Sequence, residues 1–159
     1  MRRCFILVLS LFVLSAAAQK KYKKVITGNL TLSQFYSDEE LKQWFPERHD
    51  AYHVNDTLIK DVAAVVAHQN VIVILGTWCS DSQREFPRLV KILEAANFPL
   101  ERLHLYGVNK KKTLPAKIVK RYGITNVPTI IVWDGKDEVG RITEKPKISL
   151  EQDLSKMKK

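Results

Sequence analysis

Six residues in the middle of the chain limit its fold more than any others. Val71-Ile72-Val73-Ile74-Leu75-Gly76 is a continuous, largely β-branched run with no polar alternation, the pattern of a strand buried on both faces. Such a strand needs a packing layer above and below it, so a bundle or a sheet open to water on one side is excluded. The run passes directly into Thr77-Trp78-Cys79-Ser80-Asp81-Ser82, and then Phe86, Leu89, Val90, Ile92 and Leu93 recur at helical spacing. A thiol is thus placed where a buried strand ends and a long helix begins.

The flanking sequence extends this frame. Ser37-Asp38-Glu39-Glu40 has capping-box spacing, Ser37 to Glu40, and predicts a helix with Leu41, Trp44 and Phe45 on its apolar face until Pro46 ends it. Asn55 or Asp56 caps a second helix, with Leu58, Ile59, Val62, Ala63, Val66 and Ala67 at helical spacing. Pro87 should kink the long helix after the thiol, because proline removes a backbone donor. Leu103 to Val108 reads as a strand, Leu114 to Tyr122 as a helix stopped by Gly123, and Thr129 to Trp133 as another strand. Asp134-Gly135 turns the chain into a partner strand from Glu138 to Ile142. Ile148 to Met157 closes as an amphipathic helix. This order predicts an α/β fold, a mixed central sheet with helices on both faces.

Ahead of the frame, Arg2 and Arg3 precede an almost wholly apolar run from Phe5 to Leu14, and Ala16-Ala17-Ala18 supplies a small-residue cleavage pattern. Residues 1–18 are therefore expected to be an export signal cut before Gln19. The run is short of the roughly 20 residues a membrane span needs, an uncleaved anchor being the alternative. Cys4 opens the apolar stretch instead of following it, which makes it a poor site for a lipid. Residues 19–57 read as an N-terminal extension and 58–159 as a single domain, about 140 residues in all and enough for one core. The expected location is the periplasm or the extracellular space, with no stable membrane insertion after cleavage.

The formal net charge of +9 becomes +7 without Arg2 and Arg3, and it gathers at Lys20, Lys21, Lys23 and Lys24, at Lys110 to Lys112, and at Lys156, Lys158 and Lys159. Nucleic-acid binding calls for basic residues interleaved with exposed aromatics on one face. These clusters instead read as tails and a loop tip, so no nucleic-acid partner is expected and loose attraction to anionic surfaces is the most they imply. His49, His53, His68 and His104 show no ligand spacing with one another or with Cys79, so no metal is expected. There is no phosphate loop and no dinucleotide fingerprint, so no cofactor is expected either.

After loss of Cys4 one cysteine remains, and the fold owes nothing to an internal disulfide. A lone thiol in an oxidising compartment is either buried and inert or present for its reactivity. Cys79 favours the second reading. The first-turn N–H groups of a helix favour thiolate, which is the nucleophile. Trp78 before the thiol and polar Ser80, Asp81 and Ser82 after it do not suit a small apolar filler. Arg84 assists the thiolate by charge, while Asp81 and Glu85 oppose it.

Trp78-Cys79-Ser80-Asp81-Ser82 after an apolar strand, with Pro87 eight residues past the cysteine, resembles the active-site turn and kinked helix of the thioredoxin superfamily. Tyr122-Gly123-Ile124-Thr125-Asn126-Val127-Pro128-Thr129 resembles that family's loop carrying a cis-proline before a strand, and Asp134-Gly135 its following hairpin. The resemblance runs from about Leu58 to the C-terminus and implies a thioredoxin-like three-layer sandwich. It implies a cis bond at Pro128, a position facing Cys79, and a Val127 backbone that pairs with an extended substrate segment. Two departures matter. The family's Cys-x-x-Cys is here Cys79-Ser80-Asp81-Ser82, so a hydroxyl stands where the resolving thiol would be. Val73 stands where many thioredoxins carry a buried acid.

The expected function is monothiol thiol–disulfide exchange in the cell envelope, catalysed by Cys79, with Ser82 as hydrogen-bond donor to the thiolate. Trp78, Val127 and Pro128 form the substrate-binding surface. Expected partners are protein or small-molecule thiols and disulfides, with an external thiol reductant to release the adduct. The alternatives are a non-catalytic thioredoxin-fold peptide-binding module and, ranked last, a peroxidatic cysteine.

Overall fold

The computed structural model describes residues 24–157, so the expected export signal lies outside the described residues. Five strands form one mixed sheet: β1 (Gly28–Leu30), β2 (Asn70–Leu75), β3 (Leu103–Gly107), β4 (Thr129–Trp133) and β5 (Glu138–Thr143), in the order β1-β3-β2-β4-β5. The β-branched run is the central strand. It lies parallel to β3, with Val73 opposite Leu105, and antiparallel to β4, with Val73 opposite Ile130. β1 and β5 form antiparallel edges on β3 and β4 respectively.

The helices are α1 (Gln34–Ser37), α2 (Phe45–Asp50), α3 (Asp56–Val66), α4 (Ser80–Ala95), α5 (Ala116–Tyr122) and α6 (Leu150–Ser155). Because successive strand residues point to opposite faces, β2 serves two cores. Val71, Val73 and Leu75 pack with Val62 and Val66 of α3, Phe86, Leu89 and Leu93 of α4, and Leu150 and Leu154 of α6. Ile72 and Ile74 pack with Ile131 and with Tyr122, Ile118 and Val119 of α5. The molecule is an α/β sandwich with helices on both faces, unequally shared.

Residues 24–55 are built into this body. They contribute β1 and an aromatic cluster on the first face, in which the Phe35 and Phe45 rings lie 4.7 and 5.3 Å from the ring of Phe86. Phe35, Leu41, Trp44 and Phe45 are all at most 1% exposed.

Several expected boundaries need correction. The helix expected from Ser37 instead ends there, with the Ser37 hydroxyl donating to the Ser33 carbonyl. Asp38 then organises the next turn, its Oδ1 accepting the Glu40 and Leu41 N–H groups at 3.0 and 3.3 Å. Pro46 does not end a helix but lies in the first turn of α2, where the missing N–H would have had no partner in the helix. Asn55 caps α3 by accepting the Thr57 N–H. Gly123 stops α5 with φ +58, a left-handed conformation that costs glycine nothing. α4 continues through Pro87.

Candidate functional site: the Cys79 turn and the Val127–Pro128 loop

The C-terminal end of β2 delivers Thr77-Trp78-Cys79 to the rim of the sheet, and Cys79 is the N-cap of α4. Its backbone bridges both elements: its N–H donates to the Gly76 carbonyl and its carbonyl accepts the Gln83 N–H, each at 2.9 Å. The side chain is half-buried and, among the described residues, it is the free thiol. Its Sγ donates to the Val127 carbonyl oxygen at 3.4 Å, so two segments 48 residues apart converge on one sulfur. The Val127–Pro128 peptide bond is cis, as is Leu114–Pro115. Val127 and Pro128 themselves are buried.

Trp78 lies over the turn. Its indole N–H donates to the Val108 carbonyl at 2.9 Å, and a side chain at Gly76 would meet the ring at 2.7 Å. The glycine is thus required by close approach, not by its backbone angles. The ring and Cys79 both pack on the second core beside Val108 and Val127.

Ser82 is placed differently from its expected role. It is fully buried, and its Oγ accepts the Gly76 N–H at 3.1 Å. No hydrogen bond joins it to Cys79. The hydroxyl ties the first turn of α4 back to the end of β2, because Gly76 has left the sheet ladder and its N–H still needs an acceptor.

Charge near the thiol is internally settled. Arg84 pairs with Asp81 at 2.8 Å and with buried Glu85 at 2.5 Å, and these bonds, led by the one to Glu85, hold its guanidinium above the ordinary arginine value. The expected assistance from Arg84 is therefore spent on its neighbouring acids. Val73 is completely buried in the first core.

Two residues of the site were missed in the sequence. The Thr77 hydroxyl donates to the Lys24 carbonyl at 2.6 Å and accepts the Ile26 N–H at 3.2 Å, tying the N-terminal segment to the thiol turn. Gln83 Nε2 donates to the Thr77 carbonyl at 2.8 Å. Only their closeness to Cys79 signalled them. Elsewhere, a shallow cleft at the opposite end of the strands is lined by Ile72, His104, Tyr106, Arg121, Tyr122 and Trp133. His104 is exposed there, as its alternation with Leu103 and Leu105 suggested. No cluster of metal-ligating side chains occurs among the described residues, and no described helix is long and apolar enough to cross a membrane.

These features define an α/β sandwich with a half-exposed thiol at a strand–helix junction. No protein-family model matches the chain, and no curated protein does. Two solved structures are similar. One is a protein of unknown function from Pseudomonas aeruginosa, with a TM-score of 0.55 and 14% identity over 80% of this chain and 77% of that one. The other is an HIV epitope-scaffold protein, also with a TM-score of 0.55 and 14% identity, over 77% of this chain and 74% of that one. At that identity the likeness is one of fold.

Proposed function

We propose that this chain is a thioredoxin-like, monothiol thiol–disulfide exchange protein of the cell envelope, with Cys79 as its nucleophile. The observation that carries the reading is the placement of Cys79: a partly exposed thiol at the N-cap of a sixteen-residue helix, fastened across the site to the Val127 carbonyl. The α/β sandwich and the order of its strands support the thioredoxin comparison. The basic residues and apolar run before Gln19 support export.

The reaction needs no cofactor. The Cys79 thiol gives its proton to solvent, and the thiolate attacks one sulfur of a substrate disulfide. A bond forms between Cys79 and that sulfur as the old sulfur–sulfur bond breaks, and the departing thiolate takes up a proton. One disulfide replaces another, with no net oxidation. In this reading the substrate surface is made by Trp78, pinned to Val108 next to the thiol, and by the backbone of Val127 and Pro128, whose side chains are buried. Because Ser82 offers no second thiol, an external thiol completes the cycle.

Mixing the protein with oxidised glutathione and analysing it by non-reducing mass spectrometry tests this. One glutathione adduct on Cys79, released by added thiol and absent from Cys79→Ser, is expected. A parent protein that gives no adduct while its thiol stays reduced would overturn exchange, and the peptide-binding module would take its place.

A further inference from the structure

Beside Cys79 a turn carries lysines with no ion pair among the described residues, whereas the acids of the first turns of α4 are engaged. The indole of Trp78 is fastened to Val108, and Val108 leads directly into a turn of compact design. Asn109 Oδ1 accepts the Thr113 and Leu114 N–H groups at 2.8 and 3.2 Å, and the Asn109 carbonyl accepts the Lys112 N–H at 2.8 Å. The tip of this closed turn is Lys110-Lys111-Lys112, beginning two residues from the atom that holds Trp78. Lys110 and Lys111 are exposed, and none of the three makes an ion pair among the described residues.

The other wall of the site is charged but balanced. The Pro128 carbonyl accepts the Glu144 N–H at 2.7 Å, which brings exposed Glu144 and Lys145 beside the loop that faces the thiol. Of the acids on α4, Asp81 is paired with Arg84, and buried Glu85 with Arg84 and Arg88. Glu144 and Lys145 offset each other, so the surplus of charge on the two walls is that of Lys110, Lys111 and Lys112. Exposed charges act over about 8–10 Å at moderate salt, a range that an approaching substrate must cross.

We infer that this lysine rim selects the substrate by charge: the disulfide attacked by Cys79 is one flanked by carboxylates. The inference rests on the exchange reading and names the substrate class of that site. The chemistry is the same sulfur-for-sulfur replacement. The rim adds no bond, and it concentrates anionic disulfides near the sulfur, an effect that reaches about 10–1,000-fold on encounter rates and weakens with salt.

The test measures mixed-disulfide formation with four probes: oxidised glutathione, cystamine, and two cystine-bridged peptides flanked by aspartate or by lysine. Each rate is divided by that of N-acetylcysteine amide, an uncharged thiol, with the same probe, which removes intrinsic reactivity. At low ionic strength the anionic members of both pairs should be favoured about tenfold, the preference should fade in high salt, and Lys110→Glu with Lys111→Glu should abolish or reverse it. A preference in the peptide pair alone still supports carboxylate-flanked disulfides and assigns them to acidic protein segments. A preference in the small pair as well extends them to free anionic disulfides. Equal normalised rates within both pairs at low salt would overturn the charge selection while leaving exchange standing. No adduct with any of the four, with the thiol still reduced, would overturn the exchange reading and this inference with it.

Discussion

Ser82 and Cys79 stand three residues apart on the first turn of α4, yet they meet different demands. The Ser82 hydroxyl is sealed and accepts the buried Gly76 N–H, so its removal leaves a donor without an acceptor or water. An unsatisfied buried group of this kind costs about 1–3 kcal/mol. Ser82→Ala, which keeps the β-carbon, is therefore expected to lower stability by about 1–2 kcal/mol while the Cys79 adduct still forms. Urea titration of Ser82→Ala beside the parent checks the first part and mass spectrometry of the glutathione adduct the second. An unchanged urea midpoint would show that the bond to Gly76 contributes nothing.

At the scale of elements, the loop between α2 and α3 is held to α6 by a buried carboxylate. Glu151, 1% exposed, accepts the Tyr52 hydroxyl at 2.9 Å and the Asn55 N–H at 3.2 Å through the same oxygen. The Arg88 guanidinium of α4 lies 5.4 Å above the Tyr52 ring, so one phenol joins three elements. Burial, then the hydrogen bond to Glu151, raises the Tyr52 phenol far above its ordinary value of 10.0. The folded protein thus keeps a proton that the unfolded chain releases. The stability this contributes is fully present below pH 10 or so and is lost as pH rises from there towards the folded value. Tyr52→Phe is expected to cost about 1–2 kcal/mol at neutral pH, through the lost hydrogen bond. It should also flatten the fall in urea midpoint above about pH 10. A parent and variant that lose stability in parallel across that alkaline range would refute the link.

Over the whole molecule, the first core is assembled from both ends of the chain. Phe35 and Phe45 pack on Phe86 of α4 with Trp44 edge-on against both, β1 completes one edge of the sheet, and Thr77 fastens Lys24 and Ile26 to the thiol turn. Exposing even one such aromatic position costs several kcal/mol; Phe→Ala in a core is typically worth about 3–5 kcal/mol, against a total stability of about 5–15 kcal/mol for a domain. A chain beginning at Asp56 loses these three core aromatics and a strand together. It is expected to lack a cooperative thermal transition, whereas the chain beginning at Gln19 should show one. Calorimetry of the two proteins decides this, and a cooperative transition in the shorter chain would show that residues 24–55 are dispensable to the core.

β2 and β4 were legible in the sequence because a strand buried on both faces writes itself as an unbroken apolar run, as Val71 to Leu75 and Ile130 to Trp133 do. The thiol's position followed from the same local fact, since the run ends four residues before Cys79, and Gly123 and Asn55 marked helix ends by their own backbone and side-chain chemistry. What needed tertiary structure was whatever depends on a distant partner. Leu41, Trp44 and Phe45 read as one helical face, but the chain breaks into two short elements there, and these side chains join Phe35 and Phe86 in one core far apart in sequence. Pro46 could end one helix or begin another, and only the packing of Phe45 chose. Ser82 looked like a neighbour of the sulfur, but the Gly76 N–H, freed from the ladder by the turn, claimed its oxygen. A local run fixes its own conformation through sterics and spacing, whereas a hydrogen bond or a ring contact across the chain is settled only when the core closes around it.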